Sequence, residues 1–392
     1  MKKVCIFSSV HSALDNRVYY REALSLLNNE YDVTLIAIHD RSEDRNGVHI
    51  IGLPKVPRWQ RPRLWWKIFR LAHDTQSDIY HFHDPELLFV TPFLRLATRK
   101  PIIYDIHEVY SDFIKVKDYM PKWVRFPIAW IFGWLETLLA HLQNGLIFSD
   151  DAIAESFKNI RLPKITLFNF PAMFFIENAI NITQDFHQRA PIILHLGGHE
   201  RNRGTRLMVE AFQQVYREMP EARLLLVGHF MPPNLQQEVQ EDVDQRGLTQ
   251  AVNIIGRVPF DQIGEYLQQA AVGWVPWQPY AKNDKNVPTK LFEYMAYGVP
   301  IVSSDLNSTR SYVHDGENGY RVMPNDPNAH AQAILKLLRN PIKAHEMGRY
   351  GQELARTQYN WEEMEKELVK FYRDLLENAT TSHTQALPSS VG

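Results

Sequence analysis

Residues 286–298, NVPTKLFEYMAYG, combine side chains that suit an anion and a diol at the start of one short helix. Pro288 suits the first helical position and Gly298 the residue just past the end. Thr289, Lys290 and Glu293 then share one face, where a helix N-terminus and a lysine favour a diphosphate and a carboxylate can hold a ribose diol. The alternative is a surface Lys–Glu pair, worth a few tenths of a kcal/mol.

A second anion-binding segment is HLGGHERNRGTRLMVEAF, residues 195–212, which reads as a strand, a glycine turn, a basic stretch and a helix. Such a turn lets backbone N–H groups and Arg201, Arg203 or Arg206 approach an anion. The segment is not a GxGxxG fingerprint, which disfavours a dinucleotide oxidoreductase. A GxxxxGK[ST] motif is also absent from the sequence, which disfavours phosphoryl transfer of the P-loop type.

In the first half of the chain, polar residues follow the predicted strands: Ser8, Ser9, His11, Asp15, Arg17, His81, His83, His107 and Glu108. Strand alternation would put His81 and His83 on one face, as a metal site requires. Because no carboxylate or thiolate recurs at a fixed spacing, we expect no metal here. His81 then fits a core histidine, whereas His107 beside Glu108 fits a functional role.

These residues are positioned by apolar runs that alternate with helix-length segments, a pattern typical of parallel sheets covered on both faces. We therefore predict an α/β fold with two doubly wound domains, a boundary within 172–190 and ligands in the crevice beyond the strand ends. The predicted strands are 4–10, 33–39, 78–83, 101–107, 145–149, 165–170, 191–197, 223–228, 252–256, 272–277 and 299–304.

The bulk composition excludes several classes of protein. The 392 residues carry a net charge of −2, which argues against nucleic acid as a partner. A single cysteine, Cys5, precludes an intramolecular disulfide and fits a reducing compartment. The sequence has no run of about 18 uncharged apolar residues, and its first apolar run is too short for a signal peptide. We therefore expect a cytoplasmic protein.

Two segments are rich in both aromatic and basic residues: RWQRPRLWWKIFRLAH, residues 58–73, and PKWVRFPIAWIFGWLETLLAHL, residues 121–142. Basic-aromatic amphipathic segments lie in the membrane interface. The alternative is that these aromatic side chains pack against the first sheet. We favour a peripheral protein on the inner face of the plasma membrane.

Several of these segments resemble the retaining glycosyltransferases of family four, which have the GT-B fold. The resemblance covers roughly residues 4–375 and is most specific in PTKLFEYMAYGVPIVSSD and in HDGENGYRVMPNDPNAHAQAILKLL, residues 314–338. SSVHSALDNRVYYREALSL, DIYHFHDPELL and IIYDIHEVY resemble a branch found in cell-surface polysaccharide assembly. YNWEEMEKELVKFYRDLL, residues 359–376, resembles the helix that crosses back to the first domain.

The resemblance implies a residue-by-residue assignment. Glu293 would hold the ribose of the donor, and Arg203 and Lys290 would hold its diphosphate. His107 would lie against the donor sugar. His107, Arg203 and Lys290 would therefore be the catalytic residues. The remaining donor-binding positions are Thr289, Asn286, Gly198, Val258 and Leu291, and the expected acceptor-binding residues are Asp15, Arg17, His83 and Glu108.

Two positions depart from the family pattern. The first Glu of its E-x7-E motif falls at Lys285, so Asn286 is left to contact the donor sugar. Many members carry Arg after the glycine of the strand-ending turn, where this chain has Gly198. Either Arg201 replaces that arginine, or Arg203 and Lys290 act alone.

The resemblance further implies a hexosyltransferase that retains anomeric configuration without a metal or cofactor. It would move a sugar from a nucleotide-sugar donor to a glycan acceptor, here expected to be lipid-linked. Residues 1–175 would bind the acceptor and 190–358 the donor, with a crossover helix at 359–376 and a disordered tail at 377–392. The alternatives are a nucleotide-sugar 2-epimerase of the same fold and a non-catalytic nucleotide-sugar-binding protein.

Overall fold

A computed structural model of the chain describes residues 1–115, 121–182, 189–259 and 262–385. Two compact units make up the chain. The first comprises Met1–Asn169 with Trp361–Gly392, and the second comprises Phe170–Asn360. Each unit contains a parallel or largely parallel sheet, which confirms the predicted tandem of α/β domains.

The sheet of the first unit consists of strands β1 (Lys2–Ser12), β2 (Tyr31–Ile38), β3 (Glu43–Arg45), β4 (Val48–Leu53), β5 (Ile79–Phe82), β6 (Ile102–Ile106), β7 (Gly145–Phe148) and β8 (Lys164–Thr166). Their spatial order is β3-β4-β2-β1-β5-β6-β7-β8. The central strands β5, β6 and β7 are buried along their whole length, as parallel strands covered on both faces must be.

Strands β3 and β4 form an antiparallel hairpin that the sequence analysis missed. Asn46 and Gly47 connect them, and both have positive φ, 49° and 90°. Positive φ at both positions is the requirement of the tight hairpin turn that Asn-Gly favours. The dipeptide was therefore a usable signal.

The first unit's helices include α1 (Leu24–Asn28), α2 (Arg61–Asp74), α3 (Thr91–Thr98), α4 (Tyr110–Lys115), α5 (Lys122–Ala140) and α6 (Asp151–Ser156). One π-helical segment, Val18–Ala23, leads directly into α1. Leu64 and Ile68 of α2, Leu94 of α3 and Ala140 of α5 join one hydrophobic cluster with the sheet, so these helices cover the same face. None of the described helices combines the length and apolar character needed to cross a bilayer.

The second unit contains β9 (Ile192–Leu196), β10 (His199–Glu200), β11 (Arg223–Val227), β12 (Phe230–Met231), β13 (Val252–Ile255), β14 (Val272–Val275), β15 (Ile301–Ser304) and β16 (Gly319–Val322). The main sheet has the order β13-β11-β9-β14-β15-β16, and β10 pairs separately with β12. Its helices include α7 (Met173–Ile182), α8 (Thr205–Glu218), α9 (Asn234–Gln245), α10 (Ile263–Leu267), α11 (Ala281–Lys285), α12 (Lys290–Ala296), α13 (Asn307–Arg310), α14 (Pro327–Leu338) and α15 (Pro341–Thr357).

The helix predicted between Pro288 and Gly298 is α12, which begins two residues later than expected. Thr289 is its N-cap, and Gly298 has φ +60° just past its end, as a glycine there permits. The division between the units also falls earlier than the predicted 172–190. The reason is that α7 packs on α12 and α15, so residues from Phe170 onward belong to the second unit.

The last helix, α16 (Trp361–Gln385), belongs to the first unit. A Cβ on Gly145 of β7 would lie 2.7 Å from Phe371 and 2.9 Å from Leu375, so the helix packs closely over that strand. The predicted disordered tail is wrong for residues 377–385, which continue this helix; neither Gly nor Pro interrupts them. Residues 386–392 lie outside the described residues.

Candidate functional site

Lys290, at the start of α12, is only 5% exposed. The surface Lys–Glu alternative is therefore wrong. Its Nζ lies 3.5 Å from Nε2 of His195, whose Nδ1 donates to the Trp274 carbonyl at 2.8 Å. Burial above all, and then the charge of Arg203, lowers the pKa of Lys290 from 10.5 to about 7. Burial makes the charged form of Lys290 costly, and an anion that binds beside it would stabilise that charged form.

Gly197, directly after β9, brings the backbone close to this ammonium. Its φ is +104°, and a Cβ there would lie 3.2 Å from Nζ of Lys290. The following Gly198 is equally crowded, since a Cβ would lie 3.1 Å from His229 and 3.3 Å from Arg203. Because neither glycine has a side chain, Lys290 and Arg203 can approach the backbone at these two positions.

Arg203 supplies the second cation. Its guanidinium donates to the Gly198 carbonyl at 3.3 Å and lies 5.2 Å from the ring centroid of Trp277. Nζ of Lys290 lies 5.5 Å from the same ring, so the two cations converge on one aromatic side chain. Glu200 pairs with Arg203 at 3.1 Å and partly neutralises it.

Arg201 and Arg206 do not join this pair of cations. Arg201 forms two 2.6 Å hydrogen bonds with Glu238 on α9, and Arg206 donates to the same carboxylate at 3.2 Å. These are exposed surface pairs. Of the two options left open for the arginine missing at position 198, the structure therefore favours Arg203 acting with Lys290.

The other predicted donor residues lie on or near the same elements with differing exposure. Thr289 is exposed, and Glu293, Asn286 and Val258 are half-buried. Leu291 is fully buried and its N–H donates to the Pro288 carbonyl at 3.1 Å, so its side chain belongs to the core. The assignment of that side chain to donor contact is wrong for this reason.

In the first unit, β1, β5 and β6 are neighbours, and their carboxyl ends bring the predicted polar residues together. At their centre is Asp105 of β6, a fully buried carboxylate that the sequence analysis did not select. Its Oδ2 lies 3.2 Å from Nε2 of His107 and 3.4 Å from Nδ1 of His83. His81 is further away, with its Nε2 at 3.8 Å.

Arg17 holds Asp105 with two hydrogen bonds, from Nε at 3.0 Å and from Nη2 at 3.2 Å. The same Nε lies 2.9 Å from Glu22, the second carboxylate that the sequence analysis missed. Burial alone would raise the pKa of Asp105, but Arg17 and His107 outweigh it and hold that pKa well below its usual value. Burial and then the charge of Asp105 raise the pKa of Glu22 well above its usual value.

Asp84 and Glu86 form a neighbouring acidic pair. Oδ2 of Asp84 accepts hydrogen bonds from the Ser8 hydroxyl and the Ser9 N–H, both at 2.7 Å. Glu86 accepts from the Ser9 hydroxyl at 2.5 Å and also from Arg61 and Trp65 of α2, each at 3.2 Å. Glu86 thereby ties α2 to the strand ends.

The acceptor assignment changes for two residues. Arg17 and His83 are 4% and 1% exposed, so neither side chain is free to contact an acceptor. Arg17 is committed to Asp105, Glu22 and the Leu167 carbonyl, the last at 2.7 Å. Asp15 and Glu108 keep partial exposure, as the assignment requires.

Glu22, His81, His83 and Asp105 are ligand-type residues whose donor atoms all lie within 4.8 Å of one another. The carboxylates that the sequence spacing lacked are thus present in space. However, the Arg17 guanidinium already contacts both carboxylates, at 2.9 and 3.0 Å. A metal ion would have to share those oxygens with a fixed positive charge, so we assign none to the cluster.

Two family models match the chain. The model described as "Glycosyl transferases group 1" matches residues 190–340. The model described as "Glycosyl transferase 4-like domain" matches residues 16–168. Together the matches span most of both units.

Similar proteins and structures are found across nearly the whole chain. Phosphatidyl-myo-inositol mannosyltransferase of Mycobacterium leprae is 27% identical over 312 residues, 79% of this chain and 77% of that protein. Sucrose-phosphate synthase from Thermosynechococcus elongatus superposes with a TM-score of 0.76 at 18% identity, covering 96% of this chain and 100% of the other. HepE of Anabaena, solved with UDP-glucose, has a TM-score of 0.71 at 13% identity, covering 95% and 100%. At these sequence identities, the similarity of the chain to the two structures shows a shared fold.

Proposed function

This chain belongs to the group 1 glycosyltransferases and has the GT-B fold, and from that premise we propose its reaction. It transfers a sugar, with retention of anomeric configuration, from a nucleoside-diphosphate sugar to a hydroxyl of a glycan acceptor. The acceptor is lipid-linked, and the product enters a cell-surface polysaccharide. The second unit binds the donor and the first unit binds the acceptor.

The observation that carries this proposal is the convergence of Lys290 and Arg203 at Gly197 and Gly198. Cleavage of the bond between the anomeric carbon and the phosphate oxygen develops negative charge on the departing diphosphate. Fixed cations in a dehydrated site stabilise that charge by about 3 kcal/mol per well-placed donor. With the diphosphate neutralised by side chains, the reaction needs no bound metal.

Other residues complete the proposed donor site. Glu293, one turn into α12, accepts hydrogen bonds from the ribose hydroxyls, and Val258, after β13, offers its backbone to the base. Asn286 takes the place of the family's sugar-binding carboxylate, and His107 contacts the donor sugar. HepE, which shares the fold, was solved with UDP-glucose, a donor of this class.

We infer a front-face mechanism. The leaving phosphate accepts the proton of the attacking hydroxyl, so the new bond forms on the face from which the diphosphate departs. Retention follows without a covalent intermediate on the protein. Asp15 and Glu108, both partly exposed, orient the acceptor.

The test is a screen of nucleotide sugars by thermal shift, followed by transfer to a lipid-linked glycan and NMR assignment of the product anomer. An α-donor giving an α-product supports the proposal. A donor isomerised without acceptor would show an epimerase instead. Nucleotide binding with no turnover on any acceptor tested would show a binding protein.

Donor affinity is expected to depend on pH through Lys290, whose pKa burial lowers to about 7. A bound diphosphate favours the ammonium, so above pH 7 binding must be accompanied by proton uptake. Affinity then falls by up to about tenfold per pH unit. Titration calorimetry in buffers of different ionisation enthalpy measures the uptake directly, and a pH-independent Kd between 7 and 9 would contradict the prediction.

The first unit carries an apolar surface suited to a bilayer. Trp66 of α2 and Phe93 of α3 are each 51% exposed, with ring centroids 5.7 Å apart. Trp130 and Trp134 of α5 are 72% and 59% exposed. We call Trp66, Phe93, Trp130 and Trp134 the aromatic face. The packing alternative holds for Trp65 and Phe69 of α2, which pack against the hydrophobic cluster on the sheet, and not for the four side chains of the aromatic face.

Exposed cations accompany the aromatic face. Arg58, Arg63, Lys67 and Arg70 are all exposed on or beside α2. Exposed aromatics together with basic side chains are the composition of surfaces that enter the interface of anionic membranes. Arg125, by contrast, is buried and contributes nothing to this charge. A peripheral contact of this kind would bring the enzyme to a lipid-linked acceptor.

Replacing Trp66, Trp130 and Trp134 with Ser is expected to lower binding to anionic vesicles by at least about 10²-fold, because each buried aromatic contributes about 1.5–3 kcal/mol. Flotation with phosphatidylglycerol-containing vesicles measures this. Phe174→Ser, at a 64% exposed position of the second unit, is the matched control. Failure of the wild type to float, or equal binding by both variants, refutes the membrane contact.

A further inference from the structure

Trp277 follows β14 by two residues and lies beside both cations of the proposed diphosphate site. The centroid of its ring is 5.2 Å from Cζ of Arg203 and 5.5 Å from Nζ of Lys290. The face of an aromatic ring attracts a cation within about 6 Å of its centroid, and indole does so most strongly. One ring therefore attracts two cations that repel each other.

The backbone fixes this ring against the guanidinium. The Gln278 N–H donates to the Asn202 carbonyl at 3.0 Å. The side-chain amide of Asn283, which is 3% exposed, donates to the same carbonyl at 2.7 Å and to the Gln278 carbonyl at 3.0 Å. Trp277 directly precedes Gln278 and Arg203 directly follows Asn202, so these hydrogen bonds hold the two residues next to each other.

Packing alone does not account for Trp277, whose side chain is buried. A buried tryptophan usually finds a partner for its indole N–H. Trp274 donates to His330 at 3.0 Å, and Trp361 of the first unit donates to Ser25 at 2.8 Å. Among the described residues, the indole nitrogen of Trp277 has no hydrogen-bond partner. An apolar side chain would fill this space without the cost of a buried, unpaired donor.

The charged groups around Lys290 act on its ammonium in both directions. Burial and the charge of Arg203 disfavour the ammonium, whereas the charges of Glu293 and Glu200 favour it. Glu200 also pairs with Arg203 at 3.1 Å, so its charge serves both cations. The indole face adds attraction at the place where the two cations meet.

The two imidazoles of this region carry no charge. Nε2 of His195 lies 3.5 Å from Nζ of Lys290, and burial holds the pKa of His195 well below its usual value. The ring of His199 lies 5.0 Å from that of His195, and burial lowers its pKa to about 3. Neutral imidazoles accept hydrogen bonds but balance no positive charge, so they do not replace the attraction of the indole.

We propose that Trp277 is a positioning residue, whose indole face holds the Lys290 ammonium and the Arg203 guanidinium side by side for the diphosphate of the donor. The cation–π contacts are independent of the proposed function, whereas their benefit to donor binding rests on it. The ring partly offsets the cost of burying two like charges together, so the site is charged before the anion arrives. Preorganised cations need little rearrangement when charge develops on the leaving group.

The test weakens the attraction of the ring and leaves its size nearly unchanged. Tryptophans that carry one, two or three fluorine atoms on the indole are placed at position 277 of the full chain by nonsense suppression. Each fluorine withdraws electron density from the ring face and so weakens its hold on a cation. The same residues at position 274 are the matched control, because Trp274 is a fully buried tryptophan of the same unit whose N–H pairs with His330.

The first readout is the pKa of Lys290 in the free protein, measured from the ¹³Cε signals of labelled lysine. The Lys290 signal is identified by its loss in Lys290→Met. Because each fluorine at position 277 weakens the attraction for the ammonium, this pKa should fall stepwise from about 7, by about one unit in total. Fluorine at position 274 should leave it unchanged.

The second readout is the Kd of a nucleoside diphosphate, with UDP, ADP and GDP as probes. The diphosphate favours the ammonium form of Lys290, so a lower pKa weakens binding only at pH values where the lysine has lost its proton. Three fluorine atoms at position 277 should raise Kd roughly tenfold at about pH 9 and by no more than about twofold at about pH 6. A ring that served packing alone would change Kd equally at both pH values.

A Lys290 pKa that stays constant along the fluorine series at position 277 overturns the inference. An equal fall with fluorine at position 274 overturns it as well, and so does an equal rise of Kd at the two pH values. If the trifluorinated chain does not fold, the monofluorinated chain decides, with an expected fall of about 0.3 unit in the pKa of Lys290. If none of the three probes binds the wild type, the proposed function is contradicted and the pKa series still decides the role of Trp277.

Discussion

Lys290→Met is expected to lower kcat/KM for the donor roughly 10²–10³-fold, the loss typical of removing one preorganised donor to developing charge. Met matches the length and apolar stem of Lys and removes only the charge and hydrogen bonds. The pH dependence of donor binding between 7 and 9 should disappear with it, since Lys290 is the residue of the proposed diphosphate site whose pKa is lowered to about 7. Initial rates and Kd values across that pH range measure both effects.

The same variant should be more thermostable than the wild type. Burial depresses the pKa of Lys290 from 10.5 to about 7 in the folded chain. The unfolded state therefore binds more protons between these values, so this group makes the free energy of unfolding rise with pH from 7 to 10.5. Its destabilising effect is complete below pH 7 and vanishes in Lys290→Met.

Lys336→Met is the control for both measurements. This lysine lies on α14 of the same unit and is exposed, with its Nζ 4.2 Å from the ring centroid of Tyr320. The Lys336→Met variant should retain wild-type turnover and the wild-type pH dependence of donor binding. Wild-type turnover in Lys290→Met would remove Lys290 from the diphosphate site.

Arg203→Ala is expected to lower kcat roughly 10²–10³-fold, because the guanidinium and Lys290 neutralise the departing diphosphate together. The structure provides a close control in Arg201→Ala, which removes an arginine of the same loop that is committed to Glu238. We expect Arg201→Ala to stay within about threefold of the wild type, as surface ion pairs contribute about 0–1 kcal/mol. Equal losses in the two variants would show a folding defect of the loop instead of a specific role for Arg203.

The sequence predicted the central strands well because each is a continuous buried run of apolar residues. It missed elements that carry no such run, including the hairpin of β3 and β4 and the edge strand β16, which is GYRV in sequence. Edge strands are formed by pairing with a neighbour that composition does not reveal. The Asn46–Gly47 turn was the one local signal of the hairpin.

In the candidate site, predictability depended on whether a residue stands in a recognisable local sequence pattern. Lys290 and Arg203 were identified because each stands in a recognisable strand-end or helix-start pattern. Asp105 lies in β6, and His107 follows two positions later, directly after the last residue of that strand, so alternation predicts that the two share one face, and this signal was available. Glu22 had no equivalent signal: it meets Arg17 through a π-helical turn, in which its N–H bonds to the Arg17 carbonyl at 2.9 Å.

Burial corrected three residue roles that spacing could not distinguish. Arg17 and His83 read as strand-end contacts for an acceptor, yet both are enclosed by the Asp105 network. Leu291 follows Lys290 in the motif but points into the core. A sequence shows which residues are near a site along the chain, whereas only packing decides which side chains solvent and substrate can reach.

Glu86 accepts hydrogen bonds from Arg61 and Trp65 of α2, the helix that we propose contacts the membrane, and from Ser9 of β1. If α2 docks on lipid headgroups as proposed, this one carboxylate would transmit the docking to β1, which precedes the proposed acceptor-binding residue Asp15. Turnover would then follow the surface density of the lipid-linked glycan rather than its bulk concentration, so the enzyme would show interfacial activation.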